Sequence, residues 1–161
     1  MRLIFFAIVI LSLVYLSCIH RPTINQMQDS CVVSVGRVSQ AAGKTVAVPI
    51  SISRIKSGIL GIDLQVEYNP DVLSFVSLEP GPLAKDWQLS CKEDKGNGRL
   101  NIGMYSIHPL EEKSGVFLVL NLEVNKDVTV GSTSVLRLNR VILNEKPAAK
   151  LEDGLITVVK E

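Results

Sequence analysis

The sequence has almost no excess of charge: 17 Lys and Arg stand against 16 Asp and Glu in 161 residues. With Arg2 set aside the two signs balance. A neutral chain without a basic run creates no field for phosphate backbones or anionic headgroups, which excludes nucleic acid as a partner. Cysteine is scarce as well, with Cys18, Cys31 and Cys91 alone. None sits in a Cys-x-x-Cys spacing and only His20 and His108 could assist, so no metal site is expected. The motifs of catalysis are missing too: no Gly-x-Ser-x-Gly, no His-Glu-x-x-His and no phosphate-binding glycine loop. Glu111 and Glu112 are neighbours beside Lys113, and neighbours do not form the opposed carboxylate pair that glycoside hydrolysis needs. Glu93-Asp94 before Gly96 lacks the Asp/Asn ladder and closing Glu of a calcium loop and reads as a hairpin turn. His108, preceding Pro109, reads as a solvated loop residue. An enzyme is therefore not expected, nor is a cofactor.

Long apolar runs are limited to one, at the amino end. Arg2 followed by Leu3 to Leu16 has the layout of a signal peptide. Fourteen helical residues reach about 21 Å, short of the ~30 Å hydrocarbon core, so a permanent span does not fit. The run ends Val14-Tyr15-Leu16-Ser17-Cys18, similar to a bacterial lipobox except at Tyr15, where that pattern prefers Leu. Residues 1–17 are read as a signal, Cys18 as the lipidation site, and 18–31 (polar, with Pro22) as a tether. The alternative is plain secretion with cleavage near Ser17 or His20. Either reading exports the chain to the cell envelope or beyond, with a lipid anchor as its sole membrane contact. If Cys18 carries lipid, Cys31 and Cys91 remain as an even pair able to form a disulfide in an oxidising compartment.

The body, residues 32–160, alternates with period two between turn residues. Val46, Val48, Ile50 and Ile52 share one side of a run; so do Ile62, Leu64, Val66 and Tyr68, then Leu100, Ile102 and Met104, and then Val116 through Val124. Val32–Val38, Leu73–Leu78, Val135–Leu138 and Leu155–Val159 add further runs. Such alternation predicts two packed antiparallel sheets in one all-β domain. Pro49 belongs on an edge or at a bulge, because it lacks an N–H. Asn69-Pro70-Asp71 and Asp94 to Gly98 supply turns.

The segment Gly61 to Leu73, GIDLQVEYNPDVL, resembles the signature of the cohesin domain family. Val35-Gly36-Arg37-Val38 and Ala42 to Ile50 look like its first strands, Lys113 to Phe117 like the entry to its long middle strand, and Asp153 to Val158 like its closing strand. The resemblance covers Val32 to Val159. It implies a nine-stranded antiparallel β-sandwich with jelly-roll topology that docks a dockerin through one sheet face. Dockerins are small calcium-loaded helical modules on polysaccharide-degrading enzymes, so any calcium is expected on the partner. Asp63 falls where the family places an acidic acceptor for dockerin Ser/Thr side chains, whereas Gly61 replaces a common Asn. If Ile62, Leu64 and Val66 point inward, Asp63, Gln65 and Glu67 point outward. Tyr105 as an aromatic anchor and Asn121 complete the expected docking residues, with Val119 and Glu123 also on outward faces. The connection Ser106 to Ser114 looks shorter than the family's loop, and the module is single, which suits a stand-alone, non-cellulosomal relative.

Two other readings remain open. Polysaccharide sites need two or three exposed rings; after Phe5, Phe6 and Tyr15, five aromatics are left. Tyr68, Phe75 and Phe117 belong to the core by their positions, so Trp87 and Tyr105 form the carbohydrate alternative, with Trp87 equally suited to covering the end of the sandwich. The third reading is a structural domain of an envelope assembly.

Overall fold

The computed structural model describes residues 31–55, 58–110, 114–148 and 150–161. The readings placed on residues 1–30, including the Cys18 lipidation site, lie outside these, as do Glu111, Glu112 and Lys113. The described residues form twelve strands: β1 Val32–Val35, β2 Arg37–Ala41, β3 Thr45–Ser53, β4 Ile59–Glu67, β5 Leu73–Pro80, β6 Gln88–Asp94, β7 Arg99–Leu110, β8 Gly115–Val124, β9 Thr133–Leu143, β10 Lys146–Pro147, β11 Lys150–Glu152 and β12 Gly154–Val159. Two single turns of 3-10 helix, Pro82–Ala84 and Lys95–Asn97, interrupt them.

Alternation dictates the layering. One sheet has the order β11-β1-β3-β8-β5; the other runs β2-β12-β9-β4-β7-β6, with β10 pairing β9. Val33, Val48, Ile50, Ile52, Leu120 and Leu122 from the first meet Ile62, Leu64, Val66, Leu100, Ile102, Leu136 and Ile156 from the second in one buried cluster. Phe117 is completely buried and Tyr68 nearly so, whereas Phe75 only packs against the rim of the core. The Asn69 turn forms as expected, with Asn69 Oδ1 accepting from the Asp71 N–H at 3.0 Å.

Nine antiparallel strands were expected, and the difference has a physical cause. The run Val32–Val38 is not one strand. It breaks at Gly36, whose N–H donates to the Pro49 carbonyl at 2.8 Å. A side chain at Gly36 would meet the Pro49 ring at 2.8 Å. Beyond the break the chain changes sheet: β1 pairs antiparallel with β3, and β2 pairs parallel with β12. β11 adds a second parallel pairing, on β1. Together with the two-residue β10, these pieces account for the extra strands and for the departure from a purely antiparallel order. Pro49 consequently lies inside an interior strand, not on an edge. Its carbonyl accepts from the Gly36 N–H, while its nitrogen on the same side has no hydrogen to donate, at the point where the β1–β3 ladder ends at Val35 and Ile50. The β3–β8 register slips immediately after it, between Ile50 and Ser51.

Candidate docking face

β4 sits at the centre of four strands ordered β9-β4-β7-β6. Its alternation sends Ile62, Leu64 and Val66 into the core, leaving Asp63 exposed and Gln65 and Glu67 half-buried on the outside. Register then sets up the surface row by row. Gln88, Tyr105 and Gly61 share a row. Ser90, Gly103, Asp63 and Ile142 form the next; Lys92, Asn101, Gln65 and Arg140 follow; then Asp94, Arg99, Glu67 and Arg137.

Tyr105 is 61% exposed, beside a Gly61 that offers no side chain to cover it. Gly103 also shapes the surface. A Cβ there would come within 2.9 Å of Ser90 Oγ and 3.3 Å of Asp63 Oδ1. The missing side chain thus opens a shallow depression of about 330 Å³ bordered by Asp63, Gln65, Ser90, Asn101 and Arg140. Polar groups around it satisfy one another: Gln65 Nε2 donates to Asn101 Oδ1 at 2.8 Å, and Arg99 Nη2 reaches Glu67 Oε1 at 2.7 Å. The Asn139 side chain, and then Arg99, hold the Glu67 carboxyl below the usual glutamate range. Asp63 differs, having no hydrogen-bond or ion-pair partner among the described residues. Its carboxylate is an acceptor left free at the middle of the face.

Asn144 and Glu145, at φ 46° and 67°, form the two-residue turn between β9 and β10. That backbone is the left-handed pair a tight hairpin requires, which Asn tolerates well. The Asn144 side chain accepts from the Leu60 N–H at 2.8 Å and donates to the Gly58 carbonyl at 2.8 Å. It pins the entry to β4 beside the Tyr105 end of the face. There the β4–β7 register slips between Ile59 and Gly61, and Leu60 and Ile107 are exposed with Tyr105, Ile107 to 86%.

Of the residues expected to bind, Asp63, Gln65, Glu67 and Tyr105 share this surface. Asn121 does not. It lies on β8 in the other sheet, where its amide donates to Ser77 Oγ at 3.1 Å and Glu79 Oε1 at 3.3 Å; Val119 and Glu123 go with it. Trp87 is 7% exposed. Its backbone N–H closes the turn on the Ala84 carbonyl at 2.9 Å, and the ring belongs to the buried cluster, so it presents no surface for a sugar. His108 is an exposed residue of β7, not of a loop. Cys31 and Cys91 are both free thiols.

Tyr68 sits under the β6 side of this sheet. Its hydroxyl donates to Glu93 Oε1 at 2.9 Å, and burial, followed by that carboxylate, pushes the phenol up to about 12. The unfolded value is near 10, so the neutral ring favours the fold fully below pH ~10, and this contribution is lost as pH rises from about 10 to about 12. A phenolate absorbance titration is expected to show one tyrosine ionising near pH 12, absent in Tyr68→Phe. Ionisation of every tyrosine near pH ~10 would contradict the buried bond.

Residues 31–158 match the profile of the cohesin domain family. A stretch of 63 residues is 33% identical to Cellulosomal-scaffolding protein A of Acetivibrio thermocellus, covering 38% of this chain and 3% of that protein. The third cohesin of ScaC from Acetivibrio cellulolyticus, solved with the ScaB dockerin, superposes with a TM-score of 0.72 at 22% identity, over 81% of this chain and 99% of that one. The non-cellulosomal cohesin of the archaeon Archaeoglobus fulgidus gives 0.68 at 15% identity, over 81% and 92%. These structures speak for the fold, and the profile match spans most of the chain: it belongs to the cohesin family.

Proposed function

We propose that this chain is an exported, non-catalytic docking module, wound as a jelly-roll sandwich, that receives a dockerin-like protein partner on the β9-β4-β7-β6 face. The observation that carries the reading is Asp63: an exposed carboxylate without a partner among the described residues, central on a sheet face that also presents an aromatic ring. Family membership supports the same conclusion, as does the ScaC relative, which was solved with a dockerin bound. In this reading any calcium resides on the partner, the link to polysaccharide breakdown runs through the enzyme that the partner carries, and Cys18 holds the chain to the envelope by lipid. The carbohydrate alternative is weaker because Trp87 is buried, which leaves Tyr105 without a second ring. A partner that stays bound after calcium removal would move the module to an envelope assembly.

Binding of the full-length chain, held in mild detergent, to dockerin modules is the test. Asp63→Ala and Tyr105→Ala are each expected to weaken it about tenfold or more, as hot-spot residues do. Melting temperatures should stay nearly constant, because both side chains are exposed. Leu64→Ala serves as the core control and is expected to lose ~2–5 kcal/mol of stability. Unaltered affinity in both surface variants would exclude this face.

A further inference from the structure

The docking face is not uniform along its length. Its Tyr105 end is apolar, with Leu60, Tyr105 and Ile107 exposed. Two rows further down it is basic. Lys92, Arg140, Arg99 and Arg137 all face outward there against Asp94 and Glu67. Glu67 is engaged by Arg99 and also feels Arg137, and Asp94 accepts from the neutral Asn97 amide at 2.8 Å, so that row carries two charges of each sign. Lys92, Arg137 and Arg140 have no ion pair among the described residues, although Arg140 borders the same depression as Asp63. The Lys92–Arg140 row, with neutral Asn101 and Gln65 between its ends, thus keeps a positive charge at each flank, and the four cations outnumber Asp63, Glu67 and Asp94 on this face.

We infer that the partner element is bipolar: it lays an apolar side chain against Leu60, Tyr105 and Ile107 and carboxylates over Lys92, Arg137 and Arg140. This rests on the docking reading above and adds the chemistry of the occupant. Charge complementarity is the ground, since an interface selects its partner by opposing potentials and rejects like charge. Geometry sets the spacing. From the Tyr105 row to the Asn101 row is four residues of strand, about 13 Å. At about 1.5 Å per residue that distance is about nine residues, some two and a half turns, of a helix laid along the strands. Across the sheet, Lys92 on β6 and Arg140 on β9 stand three strand spacings apart, about 14 Å, wide enough to flank a helix that lies along the strands.

The probe is an array of purified dockerin modules chosen to span acidic to basic exposed helix faces, titrated against the full-length chain. The acidic modules are expected to bind, with affinity falling as salt is raised from about 0.05 to about 0.5 M. The triple variant Lys92→Glu/Arg137→Glu/Arg140→Glu should lose at least tenfold, and Arg140→Gln, which keeps the bulk and drops the charge, a smaller share. Melting temperatures confirm that both variants fold. If Tyr105→Ala weakens binding while the charge variants leave it unchanged or tighten it, the polarity is wrong and the docking face stands. Preference for basic modules has the same meaning. If no module binds, or no change on this face alters binding, the docking reading fails and takes the bipolar partner with it.

Discussion

Phe117→Ala is expected to destabilise the chain by about 3–5 kcal/mol, the cost of truncating a fully enclosed aromatic ring. Phe117 has no solvent exposure and occupies the slip in register where β8 passes β3, opposite neither Ile50 nor Ser51. A bulge sets two residues against one and bends the strand; here Phe117 is followed by Leu118, also fully buried, so two successive side chains enter the core. The Phe117 carbonyl also accepts from the Gly81 N–H at 2.9 Å, which ties β8 to the end of β5. A cavity at this point is bordered by two sheets and by the Pro82–Ala84 turn, and none of these can close over it without breaking strand pairing. Denaturant unfolding should show a lower midpoint with an unchanged slope. A loss under about 1 kcal/mol would mean that the site collapses freely, against the packing described.

The second large effect is expected at Gly98, and it reaches the docking face. Gly98 ends the β6–β7 hairpin with φ 58°, a left-handed backbone that disfavours any Cβ. Its surroundings add to the strain, because a Cβ would lie 2.2 Å from the Tyr68 carbonyl oxygen and 2.9 Å from the Pro70 ring. The Gly98 carbonyl also accepts from the Tyr68 N–H at 2.8 Å. Gly98→Ala must therefore distort the hairpin or push it away from the end of β4, at a cost of roughly 2–5 kcal/mol from backbone strain and overpacking together. β6 and β7 carry Ser90, Lys92, Asn101 and Tyr105, so affinity should fall along with stability. Asp63→Ala, by contrast, separates the two. Retained melting temperature and affinity in Gly98→Ala would show that the hairpin adapts without moving the face.

Much of this was legible from residues alone, and the misses have identifiable causes. β4 could be read because inward Ile62, Leu64 and Val66 alternate with outward Asp63, Gln65 and Glu67 without interruption, and the same pattern placed the free carboxylate. β9 could not be followed past Leu138, because a bulged residue, Asn139, shifts the inward set from Leu136 and Leu138 to Val141 and Leu143. Arg140 was hidden by that shift. β6 was invisible since its inward positions are Leu89, Cys91 and Glu93, a single strong hydrophobe among three. Asn121 illustrates a different limit. Periodicity assigns a side chain to the outer surface of its own sheet, but it does not say which of two sheets the strand joins. Trp87 lies in a turn, where period two gives no orientation at all.

The crossover at Gly36 also determines how the domain carries mechanical load. The first strand run serves both layers, with β1 between β11 and β3 and β2 alongside the terminal β12. A pull applied at Val32 is passed to β3 through β1 and to β12 through β2. Both sheets therefore share such a force from the first strands onward. In that arrangement load is divided between the two layers of the sandwich before it reaches the face proposed to receive a partner.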